Sequence, residues 1–130
     1  MGSVVSTIFP PVAPSAAGAR RFVVSALRRE HVAPDRVDLA ALLTSELVTN
    51  AFLHAGTETR VTVRVNHMIR IEVFDAGAGG VAMRSAGVDA TRGRGLHIVD
   101  ALADDWGHDD TADGAHVWFE IAREPATARG

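Results

Sequence analysis

The sequence contains no cysteine and no lysine. The absence of cysteine excludes disulfides, thiol catalysis and zinc–thiolate sites. The absence of lysine excludes the P-loop, the protein-kinase fold and Schiff-base catalysis, because each depends on a lysine amine. All 13 basic residues are therefore arginines. A site for a phosphate in this chain would have to use arginine or backbone amides.

The chain also lacks a strong charge imbalance and a long apolar run. Its formal net charge is -3, too mild for a nucleic-acid footprint or an acidic tail. The apolar run from Val4 to Phe9 is too short for a secretory signal. With 130 residues, 47% of them hydrophobic, the chain has the length of one domain, residues 1–130, with a real core. We expect a cytoplasmic protein that binds neither membranes nor nucleic acid directly.

The first third of the chain predicts one strand and two helices. Val4–Phe9 is β-branched and closed by two prolines, which indicates an edge strand. Ser15 is the expected N-cap of a helix that runs to about His31. A second helix begins at Pro34 and stops at Gly56.

The remainder predicts strands around a glycine-rich segment. Residues 75–94 have no hydrophobic periodicity, which is typical of a functional or mobile stretch. Trp106 and Trp118 are expected in the core. The other predicted elements are strands at Thr59–Asn66 and Ile69–Phe74, a helix at Gly95–Asp104, a strand start at Trp106–His108, a turn at Asp109–Gly114 and a closing strand at Ala115–Ala122.

Three polar residues on the second helix form the first candidate site. Glu46, Asn50 and His54 are four residues apart and share one stripe of the helix. An asparagine oxygen is a suitable ligand for magnesium, and Glu46 one turn away could polarise a hydroxyl group or water. The alternative is a hydrogen-bonded polar seam or an ordinary exposed face, and the spacing alone does not choose between them.

Two glycine-rich motifs form the other candidate sites. Asp75 ends a strand and can accept hydrogen bonds from a ring amine, while Gly77 and Gly79 let the backbone pass close to a flat ligand. These glycines also match a dinucleotide-binding fingerprint, but they follow antiparallel strands rather than a parallel βαβ unit. Residues 92–96 begin the third helix, where free amides and arginines can bind phosphate. Alone, such a glycine-rich helix start is more often a turn.

In this order, the three motifs resemble the GHKL ATPase superfamily. Glu46–Ala51 with His54 is similar to its N box, Asp75–Gly79 to its first glycine box and Gly93–Leu96 to its second. The resemblance extends from about Ser15 to Ile121. It implies an α+β two-layer sandwich, with a mixed, mostly antiparallel sheet and helices on one face, that binds ATP and Mg²⁺. The single-domain length and the run from Ser45 to Gly56 look most like the anti-sigma-factor serine/threonine kinases.

The resemblance also implies a role for each matching residue. Asn50 would hold magnesium, Glu46 would be the general base and Asp75 would contact the adenine amine. Residues 80–92 would form a short ATP lid. Residues 1–14 would form an N-terminal arm, and residues 124–130 a tail. The remaining nucleotide contacts would come from His54, Gly77, Gly79, Arg92, Gly93, Arg94, Gly95 and Leu96.

The resemblance implies a regulator that sequesters a sigma factor and phosphorylates a serine or threonine of an antagonist protein. It also implies a homodimer, formed through the first strand and helix. The short lid leaves open a non-catalytic alternative, in which nucleotide binding gates contacts with a partner protein. A detached histidine-kinase catalytic domain fits less well, because the run from Val48 to Gly56 resembles the serine-kinase group.

Overall fold

The structure is a computed structural model that describes residues 2–75 and 96–124, except for the side chains of residues 53–55. Five strands and three helical segments lie within these ranges. In chain order they are β1 (Ser3–Phe9), α1 (Pro14–Arg29), α2 (Pro34–Ala55), β2 (Thr59–Val65), β3 (Met68–Asp75), α3 (residues 96–102), β4 (Asp105–Thr111) and β5 (Gly114–Ala122).

The five strands form one sheet in the order β1-β2-β3-β5-β4. Every pairing among these strands is antiparallel. The chain leaves the sheet after β3 and returns through α3 and β4, so that β5 lies between β3 and β4. The expected α+β architecture with a mostly antiparallel sheet is confirmed.

The helices cover one face of the sheet, which we call the inner face. The opposite face is the outer face. Strand alternation sends every second side chain of β2, β3 and β5 into this layer,. Full burial of one such side chain contributes about 1.5–3 kcal/mol. The largest fully buried side chains include Phe119, Leu27, Leu43, Ile69, Ile71, Ile121, Val61 and Val63.

The two long helices differ from expectation mainly at the start of α1. The helix begins at Pro14, and the Ser15 hydroxyl donates a hydrogen bond to the Pro10 carbonyl at 2.6 Å instead of capping the helix. The helix ends at Arg29, two residues before the predicted His31. The predicted end of α2 is confirmed, because Gly56 adopts the left-handed conformation with φ 64° that favours glycine,. No helix within residues 2–75 and 96–124 has the length and hydropathy needed to cross a membrane.

The hairpin formed by β4 and β5 is longer than the sequence pattern predicts. The expected turn at Asp109–Gly114 is wrong, because β4 continues to Thr111, which pairs with Gly114. Only residues 112–113 form the turn. The polar run of β4 hides the strand from a search for apolar alternation, since an edge strand can expose much of its surface.

The two tryptophans lie on opposite faces of the sheet. Trp106 packs against the core, and its indole Nε1 donates to Asp100 Oδ1 at 2.8 Å. The expectation that Trp118 is also a core residue is wrong, because Trp118 lies on the outer face with the Arg70 guanidinium 4.0 Å from its ring centroid. Its indole lies across Gly107, where an added Cβ would be 2.8 Å from Trp118 Cζ2. Glycine therefore permits the indole to lie flat on the sheet.

Candidate functional site

A narrow cleft lies between α2, the sheet and the start of the described part of α3. Apolar side chains form most of its wall, and two buried polar residues, Asn50 and Asp75, lie among them. The combination of an apolar wall with a few convergent polar groups is typical of a small-molecule site. The residues that line the cleft are Leu47, Asn50, Ala51, Val73, Asp75, Leu96 and Val117.

Asn50 carries a buried amide nitrogen with no hydrogen-bond partner within residues 2–75 and 96–124. Its side chain is in a helix that packs on the sheet, and the residue is 8% exposed. The amide nitrogen Nδ2 has no hydrogen-bond partner among residues 2–75 and 96–124. An unpaired buried polar group costs about 1–3 kcal/mol, so this position stabilises the fold less than an apolar residue of similar size would. Such an exception is expected where a ligand supplies the missing partner.

Asp75 enters the same cleft from the end of β3. The residue is 7% exposed, and its backbone pairs with Thr59 on one side and Ala115 on the other. It has the same strand parity as Ile71 and Val73, so alternation directs its side chain to the inner face. A carboxylate is an acceptor of hydrogen bonds, and a ring amine is a donor that it could accept from.

The cleft is tight in this structure. The cavity between its lining residues has a volume of about 10 Å³, enough for about one water molecule. A purine ring needs far more space. Binding of a nucleotide base would therefore require the lining elements to move apart.

Glu46 lies one helical turn before Asn50 and is half-buried. Its position on the same stripe as Asn50 agrees with the predicted spacing. Glu46 does not line the enclosed part of the cleft. Glu46 is therefore outside the enclosed part of the cleft, and part of the residue is exposed to solvent.

The other predicted site residues have different outcomes. Leu96 is half-buried and lines the cleft, as part of α3. The backbone of His54 continues α2, but its side chain is not among those described. The remaining predictions, Gly77, Gly79, Arg92, Gly93, Arg94, Gly95 and the lid at 80–92, lie outside the described residues.

The sequence motifs do not include the residues that form the apolar wall of the cleft. Leu47, Val73 and Val117 line it, yet none of them belongs to a polar motif. The alternation of β3 and β5 carries the relevant signal, because Val73 and Val117 are paired in register and both point inward. Sequence alone does not give that register, since β5 is separated from β3 by about forty residues.

The family comparison decides the identity of the fold. The family model of the histidine kinase-like ATPase domain matches residues 9–121. The chain belongs to this family. The predicted resemblance to GHKL ATPases is thereby confirmed over nearly the whole sequence. No curated protein matches the chain.

A solved structure supports the fold of this histidine kinase-like ATPase domain. The chain is similar to the crystal structure of the RsbU and RsbW domains of Rv1364c from Mycobacterium tuberculosis, with a TM-score of 0.66 and 16% sequence identity. The match covers 92% of this chain and 32% of that one, so the chain corresponds to about a third of the length of its structural neighbour. At this identity the likeness establishes the fold.

Proposed function

We propose that the protein binds ATP with Mg²⁺ in the cleft and transfers the terminal phosphate to a serine or threonine of a partner protein. The observation that carries the proposal is the unpartnered Asn50 amide, buried beside Asp75 in a domain of the ATPase family. The unpaired atom is the amide nitrogen Nδ2, a donor whose burial without a partner costs stability. A phosphate oxygen of the bound nucleotide would accept its hydrogen bond, which leaves the side-chain oxygen available for the metal.

The side-chain oxygen of Asn50 is the ligand that the cleft would offer to magnesium. Among the described residues, no three histidine, aspartate or glutamate side chains lie close enough together to hold a metal. The Asn50 side-chain oxygen would therefore hold the ion together with phosphate oxygens and water, which is the usual way proteins bind magnesium. When bound, Mg²⁺ neutralises charge on the phosphate oxygens during phosphoryl transfer.

Each remaining residue has a distinct task in this proposal. Asp75 accepts a hydrogen bond from the adenine amine and so selects adenine over guanine. Leu47 and Val73 pack against the base, and Leu96 closes the end of the cleft. Glu46, at the margin, accepts the proton of the attacking hydroxyl group and thereby activates it.

The proposed protein substrate is an antagonist of an anti-sigma factor, and this chain would be the anti-sigma factor that also binds a sigma factor. Support comes from the similarity of the N-box run to the anti-sigma-factor kinases and from the structural neighbour, which contains an RsbW domain. Phosphorylation would add about two negative charges to the antagonist. Like-charge repulsion or lost contacts would then prevent the antagonist from displacing the sigma factor.

A phosphotransfer assay tests the proposal. The protein is incubated with Mg²⁺ and ATP labelled at the γ-phosphate, together with a candidate antagonist protein. We expect phosphoserine or phosphothreonine on that protein. Glu46→Gln should reduce the rate at least about 100-fold, since loss of a general base typically costs 10²–10⁴. Glu58→Gln removes an exposed carboxylate before β2 and serves as the matched control.

The outcomes separate the two functional classes. Loss of transfer in Glu46→Gln, with ATP binding and the Glu58→Gln rate both retained, supports the kinase. Binding of ATP without transfer to any candidate would contradict the kinase and favour the nucleotide-gated regulator. Undiminished transfer in Glu46→Gln would contradict the role of Glu46.

A further inference from the structure

An open groove lies on the outer face of the sheet, on the opposite side from the cleft. Its volume is about 500 Å³, which is within the usual range for sites that bind small molecules. Among the described residues, none lines both the groove and the cleft, so the two are separate. We call it the outer groove. Its lining residues include Arg60, Thr62, Glu72, Phe74, His116 and Asp109.

The strand register places four of these residues in one row across the sheet. Arg60 on β2 pairs with Phe74 on β3. Phe74 pairs in turn with His116 on β5, and His116 pairs with Asp109 on β4. Neighbouring strands are about 4.8 Å apart, so about 14 Å separates the Cα atoms at the two ends of the row. The row therefore has a cation at one end, an anion at the other and two aromatic rings between them.

The other polar side chains of the outer groove already have partners. The hydroxyl groups of Thr62 and Ser6 of β1 share a hydrogen bond of 2.7 Å. Glu72 Oε2 accepts hydrogen bonds from Arg70 Nε at 2.8 Å and from Arg64 Nε at 3.1 Å. Burial raises the pKa of Glu72, but the hydrogen bonds and charges of these arginines outweigh it and bring the pKa below its ordinary value. These contacts hold the floor of the groove in a defined position.

The two charged ends of the row differ from the floor. Arg60 and Asp109 are exposed, and neither forms an ion pair in the part of the chain that the structure describes. The Arg60 guanidinium lies 6.0 Å from the centroid of the Phe74 ring. Beyond Arg60, the outer face continues with the apolar side chain of Ile8 on β1. The row thus offers one cation and one anion to a ligand.

We propose that the outer groove binds a zwitterionic dipeptide. The carboxylate of the peptide pairs with the guanidinium of Arg60, which can donate two parallel hydrogen bonds to it. The ammonium group of the peptide pairs with the carboxylate of Asp109. The peptide bond and the side chain nearer the carboxylate lie on the rings of Phe74 and His116.

The distance between the charges selects this size of peptide. Because the Arg60 guanidinium lies beside the Phe74 ring, its charge is about one strand spacing nearer to Asp109 than its Cα atom is, which leaves about 10 Å between the charged groups. A hydrogen bond of about 2.9 Å at each end reduces the span required of the ligand to about 4–10 Å, depending on the direction of the bonds. An extended chain spans about 3.5 Å per residue. One amino acid is therefore too short, and a dipeptide at about 7 Å fits.

The aromatic rings of the row predict a preference for the side chain of the peptide. The carboxylate end lies at Arg60, so the C-terminal side chain lies next to Phe74. Aromatic rings attract one another in offset and edge-to-face arrangements, and a C-terminal phenylalanine should therefore bind better than alanine. Alanyl-phenylalanine has about 17 non-hydrogen atoms, and at the usual affinity per atom its dissociation constant should be on the order of 0.1–1 mM.

A titration of the isotope-labelled protein with alanyl-phenylalanine, followed by its amide NMR shifts, tests the proposal. The shifts should saturate and should centre on the residues of the row. Two blocked peptides remove one charge each: N-acetyl-alanyl-phenylalanine lacks the ammonium group, and alanyl-phenylalanine amide lacks the carboxylate. Each should bind at least about tenfold more weakly, because one charge-assisted hydrogen-bonded pair is lost.

Two variants assign the ends of the peptide. Arg60→Gln should weaken the binding of alanyl-phenylalanine at least about tenfold, but it should not weaken the binding of the amide, which has no carboxylate to lose. Asp109→Asn should likewise weaken the free dipeptide and not the acetylated one. Arg20→Gln removes an exposed arginine of α1 and serves as the matched control, with the affinity of the wild type.

Three results would overturn the proposal. They are the absence of saturable shifts up to about 10 mM alanyl-phenylalanine, equal affinity for the free and the blocked peptides, and shifts that centre on Asn50 and Asp75 of the cleft. The blocked peptides test both charged contacts on the wild-type protein, so the result does not depend on the folding of the variants. The amide spectrum of each variant shows whether it is folded.

Discussion

The two faces of the sheet treat polar side chains in opposite ways. On the outer face, Glu72 receives hydrogen bonds from two arginines, and Arg70 also bonds Glu120 and stacks on Trp118. On the inner face, the Asn50 amide nitrogen is buried among apolar residues and has no partner in the described chain. The outer-face groups named here are hydrogen-bonded although they lie near solvent, whereas Asn50 Nδ2 is buried and has no hydrogen-bond partner within residues 2–75 and 96–124.

This difference separates structural polar groups from functional ones. A satisfied network contributes to stability and defines a surface. A buried unpaired group lowers stability, and its presence is explained when a ligand uses it. Thr57 Oγ1 is also buried without a hydrogen-bond partner but does not line the cleft, so the position of Asn50 in the cleft is what supports the inner side of the sheet as the ligand side.

The largest effect on the free energy of unfolding should come from Phe119 of β5. Its neighbour Trp118, on the opposite face of the sheet, provides the comparison. Phe119 is fully buried, and Phe119→Ala should lower the free energy of unfolding by about 3–5 kcal/mol. Trp118→Ala removes a half-buried ring and one cation–π contact, and should cost less, about 1–2 kcal/mol. Urea unfolding of both variants measures the two values. Equal losses would contradict the assignment of the two faces.

A smaller, pH-dependent effect on stability should come from the ion pairs of Glu72 with Arg64 and Arg70. Because its arginine partners lower the pKa of Glu72 below its ordinary value of 4.5 in the folded protein, its stabilisation is present above that pH and is lost as the pH falls through the folded-state value. Glu72→Gln should therefore be less stable than the wild type by about 1 kcal/mol near pH 7.

The difference between Glu72→Gln and the wild type should shrink as the pH falls below about 4.5. Urea unfolding at several pH values checks this, with Glu58→Gln as the control for loss of one exposed carboxylate. A gap that stays constant with pH would show that Glu72 acts through packing rather than through its charge.

Much of this arrangement could be predicted from the sequence because it follows from local patterns. Alternation in β2 and β3 marks the inner face, and the spacing of Glu46 and Asn50 puts both on one stripe of α2. The position of Asp75 at the end of the central strand β3 brings a carboxylate to the end of the sheet next to α2. These three residues needed no knowledge of long-range contacts.

The parts that could not be predicted depend on pairing between distant segments. Trp118 looks like a core residue, but the register of β5 with β3 places it opposite Glu72 on the outer face. The polar strand β4 shows no alternation, and its pairing with β5 alone defines its length. The alignment of the arginines of β2 with the aspartates of β4 likewise follows only from the pairing of all four strands.

The central claim is that Asn50 is retained for a ligand rather than for the fold. The most direct measurement compares Asn50→Leu with the wild type by urea unfolding and by calorimetric titration with ATP and Mg²⁺. Leucine has the same branched shape and the same number of heavy atoms and leaves no unpaired amide, so the ligand-free variant should be at least as stable as the wild type. Its affinity for ATP should fall at least about 100-fold, equivalent to about 2.7 kcal/mol. A variant that is clearly destabilised yet binds ATP like the wild type would contradict the account.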